Sequence, residues 1–130
     1  MKISRSGEPG LQSQPRSDTF TGEVWATPVV PGGEGVMVNS VLFLPGGRTN
    51  WHRHERGQVL YVTSGRGQIA SRDGSGSAIA AGDTVFIPPG EEHWHGAAPD
   101  AYLVHLAISL GETQWLEPVS DDDYARRRDA

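Results

Sequence analysis

An all-β barrel or sandwich is the fold class this sequence predicts, on three observations. Short segments rich in Val, Ile, Phe, Trp and Tyr recur along the chain at close spacing. Each is stopped by a Gly, Pro or Asp cluster: Pro31-Gly32-Gly33, Pro45-Gly46-Gly47, Ser64-Gly65, Asp73-Gly74-Ser75-Gly76, Ala81-Gly82-Asp83 and Pro88-Pro89-Gly90. No stretch before residue 117 carries the 3.6-residue apolar period of an amphipathic helix. Many short strands with tight corners close as a sandwich or barrel, and 17 glycines suit the corners.

The elements follow in order. Residues 1–19 are polar and read as an arm, with a short strand at 2–5, ordered only by docking on something. The barrel spans 20–116, with strands expected near 23–30, 36–44, 49–54, 58–63, 66–72, 77–80, 84–87, 92–97 and 101–110. Asp73-Gly74 has the chemistry of a hairpin turn. The tail, 117–130, holds a short helix opened by the capping box Ser120-Asp121-Asp122-Asp123 and running to about Arg127.

Composition narrows the function. The 130 residues make one domain without internal repeats, long enough for a modest core. There is no cysteine, so thiolate metal sites and disulfides are excluded, and histidine, carboxylate and amide ligands remain. The formal charge is -5, Lys2 is the one lysine, and an acidic surface argues against nucleic acid. The basic run Arg126-Arg127-Arg128 lies in an aspartate-flanked tail and reads as solvated. No apolar run reaches membrane-span length, and no apolar leader follows the N-terminus, so a soluble cytoplasmic protein is expected.

Alternation decides which side chains can meet, because residues two apart on a strand share a face. His52 and His54 point one way; Trp51, Arg53 and Glu55 point the other. Gln58, Leu60 and Val62 share a face, as do His93 and His95, and His105 shares one with Leu103, Ala107 and Ser109. All five histidines then line one cavity if these faces are inner. A lone histidine on a strand is commonly just a hydrogen-bonded residue, and a His-x-His pair alone can be two surface histidines. Here the pair is joined by Gln58 four residues on and by a Pro88-x-Gly90-x-x-His93 segment, which makes a metal site the favoured reading. The remaining large side chains have plainer readings. Trp51 and Trp94 face away from the metal and serve packing or a dimer contact, and Trp25 and Trp115 are core or interface residues. Glu91 and Glu92 are solvated, and Arg48 and Arg53 are surface ion-pair partners.

These residues carry a resemblance. Gly46, five residues, His52-x-His54, three residues, Gln58, six residues, Gly65 is similar to the first signature of the cupin superfamily, with glutamine where glutamate is usual. Gly82, five residues, Pro88-x-Gly90, two residues, His93 resembles the second, with Ala97 in the place of asparagine. The resemblance implies a double-stranded β-helix (jelly-roll-like) barrel with a metal inside one end, usually homodimeric. The runs Arg48–His54, Pro89–Pro99, His105–Ile108 and Trp115–Tyr124 resemble small bacterial cupins that act as manganese-dependent hydroxynitrile lyases. That resemblance implies the ligands His52, His54, Gln58 and His93, the active-site histidines His95 and His105, and the pocket threonine Thr49. The chain departs from that pattern at Ser109, where the lyases have glutamine, and at Asn39, where they have alanine.

The expected chemistry follows from Gln58. An amide oxygen leaves a three-histidine site at its full +2 charge, which acidifies a bound hydroxyl and disfavours higher oxidation states. The donor set suits Mn, Fe, Co, Ni or Zn, and the resemblance implies manganese among them. The expected activity is a lyase acting on a small hydroxy compound such as a cyanohydrin. In that scheme His95 or another nearby histidine takes the hydroxyl proton and His105 steadies the departing cyanide. Both could instead only hydrogen-bond within the barrel. The pocket wall is expected from Asn39, Val41, Leu60, Leu103 and Ser109, with Val62 and Ala107 adding apolar surface. A cupin dioxygenase, a sugar-acid isomerase and a non-catalytic binding barrel are the alternatives. Few inward arginines weigh against a sugar acid.

Overall fold

The computed structural model describes residues 1–126 and 128. Its strands are β1 (Gln14–Arg16), β2 (Phe20–Thr21), β3 (Val24–Val30), β4 (Val36–Phe43), β5 (Arg48–Thr49), β6 (His52–His54), β7 (Gln58–Ser71), β8 (Gly76–Ala80), β9 (Thr84–Ile87), β10 (His93–Ala97), β11 (Leu103–Leu110) and β12 (Thr113–Trp115). One short helix, α1 (Asp121–Ala125), follows among the described residues.

Two antiparallel sheets share β7. Its first half pairs with β9 and β11, and β11 continues through β4 and β3 to β1. Its second half pairs with β8 and β10, and β10 continues to β5 and β6. The expected strands 58–63 and 66–72 are thus one strand, bent at Gly65. That residue sits at φ 77°, and a Cβ on it would lie 2.0 Å from the Tyr102 carbonyl oxygen, so only glycine fits. Conversely, the expected strand 49–54 is two, because the chain turns between β5 and β6.

The inner faces follow the alternation. Along β11, Leu103, His105, Ala107 and Ser109 are buried, and the residues between them only half so. The apolar core is built from Val24, Phe43, Leu60, Val62, Ile87 and Leu103. The histidines adjoin it, the Phe43 ring lying 5.1 Å from that of His105. A bulge between Val104 and His105 sets His105 opposite Val62 of β7.

The ends of the chain depart from expectation. Residues 2–5 form no strand; the arm instead adds β1 to the edge of β3. The helix is shorter than expected, Ser120 does cap it by accepting from the Asp123 amide, and Arg127 lies outside the described residues. Trp51 and Trp94 do not form an exposed contact face. They are 5% and 0% exposed, packed with Ala70 beneath Val119 and Tyr124 of the C-terminal segment. Arg48 is no surface ion-pair residue either. It is buried, donates to the Val119 carbonyl at 3.0 Å and to Asp121 at 2.9 Å, and lies over the Tyr124 ring. A guanidinium can be buried here because a carbonyl, a carboxylate and a π-face replace its water. Glu92, expected to be solvated, pairs with Arg72 at 2.9 Å and with Arg53 at 3.6 Å, so Arg53 is the surface ion-pair partner expected, and it also donates to Gln114.

Candidate metal centre and active site

The five histidines are buried and contiguous. Ring centroids are 4.3 Å apart for His52 and His93, 5.0 Å for His52 and His54, 5.1 Å for His52 and His95, and 4.8 Å for His95 and His105. Ring nitrogens of His52, His93 and His95 all lie within 4.8 Å of one another, a group that could hold a metal ion.

Three of the rings are tied by Nδ1. His52 meets the Asn50 carbonyl at 2.9 Å, His93 the Glu91 carbonyl at 2.9 Å, and His54 the Thr113 hydroxyl at 3.0 Å. A carbonyl only accepts, so Nδ1 of His52 and His93 must carry the proton and Nε2 keeps its lone pair. This is how metal-binding imidazoles are oriented. Gln58 donates its amide N–H to Ser109 at 3.0 Å, which turns its Oε1 to within 3.1 Å of His93 Nε2. Two lone pairs then face each other, an arrangement that a cation stabilises. His54 Nε2 is also buried without a partner. The donor set therefore fits a divalent ion.

Electrostatics agree. Burial pushes all five imidazoles below their ordinary range, His54 and His105 to about 4. Desolvation is the main cause throughout, and neighbouring histidines depress His52 and His95 further. Neutral imidazoles are the form that binds metals and accepts protons.

Beside this array is a cavity of about 90 Å³. Asn39, Val41, Thr49, His52, His54, Gln58, His95 and Ser109 line it, with no acidic, lysine or arginine side chain among them. Leu60, Leu103 and Val62 do not line it; they are fully buried in the core, whereas Ala107 does face the cavity. His105 sits one layer deeper, its Nε2 3.0 Å from His95 Nδ1, and Thr49 Oγ1 accepts the His95 backbone N–H at 3.2 Å. His95 Nε2 is buried with no partner.

The sequence reading missed several wall residues. Phe20, Met37, Phe43, Thr113 and Trp115 also line the cavity, and the Trp115 ring lies 4.6 Å from that of His52. Thr113 and Trp115 are two apart, so strand alternation would have put them on one face had a strand been recognised after Gly111.

Comparison with known proteins bears on the same residues. Residues 39–109 match the family profile described as Cupin domain. The chain is 41% identical, over 97% of its own length and 100% of the relative's, to a protein of Granulicella tundricola named (R)-mandelonitrile lyase. A protein of Aquipseudomonas alcaligenes named gentisate 1,2 dioxygenase 1 is 29% identical over 62% of this chain and 25% of its own. Among solved structures, a cupin-like protein of Thermotoga maritima superposes with a TM-score of 0.80 at 44% identity, covering 84% of this chain and 87% of its own. With both signature segments, the double-stranded barrel and a full-length relative in agreement, the chain belongs to the cupin family.

Proposed function

We propose that this cupin is a metal-dependent lyase that splits a cyanohydrin-type hydroxy compound into an aldehyde and hydrogen cyanide. The observation that carries the reading is the buried His95–His105 pair, with His95 Nε2 unpartnered and the His95 ring grouped with His52 and His93 at an uncharged cavity. The full-length relative named (R)-mandelonitrile lyase supports it. We assign His52, His54, Gln58 and His93 as ligands of one divalent ion, manganese first. When bound, that ion supplies Lewis-acid polarisation of the substrate oxygen.

The chain's own residues do the rest. His95 accepts the hydroxyl proton on Nε2, and its Nδ1 contact with His105 spreads the charge gained. The oxygen electron pair becomes the carbonyl bond, the C–C pair leaves with cyanide, and the proton returns from His95 to give hydrogen cyanide. Thr49 holds the His95 backbone in place. Phe20, Val41 and Trp115 offer the hydrocarbon part of the substrate an apolar wall. Asn39 and Ser109 leave the pocket polar on one side.

The test is to strip the protein of metal and reload it separately with Mn, Fe and Zn. Release of cyanide and benzaldehyde from mandelonitrile is then followed, with His52→Ala as control. Metal-dependent release that the control lacks is the expected result. Stoichiometric metal without release rules the lyase out. Oxygen uptake with Fe would then favour an oxygenase, the activity in the name of a more distant relative.

We also read the assembly as a homodimer. The outward positions Phe86, Val59, Ile108 and Val38 align across β9, β7, β11 and β4 as an uncharged row, and Phe86 is 63% exposed. Light scattering should give twice the chain mass for the protein and once for Ile108→Asp; a monomeric wild type contradicts it.

A further inference from the structure

The segment after β11 is more than a tail. It packs along the metal-site strands β6 and β10. β12 pairs with β6 in the register Thr113↔His54, Gln114↔Arg53, Trp115↔His52. Beyond it, the Trp51 amide donates to Glu117 and the Leu116 amide to Trp51, at 2.9 and 2.8 Å. Tyr124 then latches the end by donating its hydroxyl to the Ala97 carbonyl on β10.

We propose that this C-terminal strap is a working part of the metal centre, with Thr113 the positioning residue that sets the His54 ring for its ligand role. The inference rests on the ligand assignment above. Of the three Nδ1 anchors, those of His52 and His93 are carbonyls of residues two places earlier in the chain. They come with the local strand geometry. The anchor of His54 is instead a side chain 59 residues away, the Thr113 hydroxyl. His52 is tied to the strap as well. Asn50, whose carbonyl holds its Nδ1, donates its side-chain amide to Leu116 at 3.1 Å, and Trp115 covers its ring.

The consequence is one of tautomers. When Thr113 accepts from Nδ1–H, the Nε2 lone pair of His54 is free for a cation. A hydroxyl, unlike a carbonyl, can also donate, and then Nε2 carries the proton and cannot ligate. Without the hydroxyl, a buried Nδ1–H has no partner, so the tautomer that leaves Nε2 free loses its advantage and the ring its anchor. Thr113→Val, nearly isosteric, removes the acceptor and leaves the strand.

The test measures affinity for Mn(II) and Zn(II) by chelator competition, without any substrate, on wild type, Thr113→Val, Thr113→Ser and His52→Ala. Thr113→Val should bind about 10- to 100-fold more weakly. Thr113→Ser should bind and melt like wild type, and metal-free Thr113→Val should stay folded, its melting temperature lower by no more than one lost hydrogen bond explains. The Zn-loaded protein should show a protonated His54 Nδ1 by nitrogen-15 NMR. Wild-type affinity in Thr113→Val overturns the proposal. So does a parallel loss in Thr113→Ser, or a fall in metal-free melting temperature that accounts for the weakened binding. Failure of the ligand assignment reads differently: wild type and His52→Ala would then bind metal equally poorly, and the strap proposal falls with it.

Discussion

At the scale of single residues, His95 is the pivot. Its ring is near enough to His52 and His93 to be a third ligand, and near enough to His105 to be half of a proton-accepting pair. The two roles separate in one variant. His95→Ala should keep one metal per chain and lower turnover at least about 100-fold, the scale of losing a general base. Metal analysis beside kinetics checks it, and loss of the ion would make His95 a ligand instead. Ser109 changes meaning in the structure. Read from the sequence it is a departure from the lyase pattern, yet it accepts from the Gln58 amide and so turns the carbonyl oxygen toward His93.

At the scale of elements, the alternation along β6, β7, β10 and β11 was legible, since a period of two leaves one choice of inner face. The strap was not. Its strand is three residues long, too short for a periodic signal, and its partner β6 lies 59 residues back, a pairing that no local pattern encodes. For the same reason Trp51 and Trp94 look exposed when only the barrel is considered. The latch predicts a measurable cost. Tyr124→Phe, which loses the bond to Ala97, should destabilise by about 1 kcal/mol. Tyr124→Ala, which also uncovers Trp94, should cost about 3 kcal/mol. Urea unfolding measures both, and wild-type stability in Tyr124→Ala would mean the strap does not brace the barrel.

At the scale of the whole molecule, burying five imidazoles ties stability to pH. In the unfolded chain they titrate near 6.5, whereas in the metal-free fold His105 is held down at about 4. Between those values the unfolded chain binds more protons, so stability is full above about pH 6.5 and falls as pH drops toward 4. His105 alone contributes a slope of up to about 1.4 kcal/mol per pH unit. Urea unfolding of chelator-treated protein at pH 7, 6 and 5 should show a steady decline. A flat profile would mean that the histidines are not kept neutral by burial.

Fold class and the inward faces were determined by the sequence itself, because turn residues and two-residue alternation act over neighbours in the chain. So was the convergence of His52, His54, Gln58 and His93, whose fixed offsets carry the family signature. Tertiary structure alone decided what holds those groups. Thr113 on His54, Ser109 on Gln58, and Arg48 and Tyr124 locking the strap are contacts between residues 27 to 73 positions apart. Side-chain hydrogen bonds over such separations depend on where the closed barrel brings two strands together, and no spacing in the chain records that.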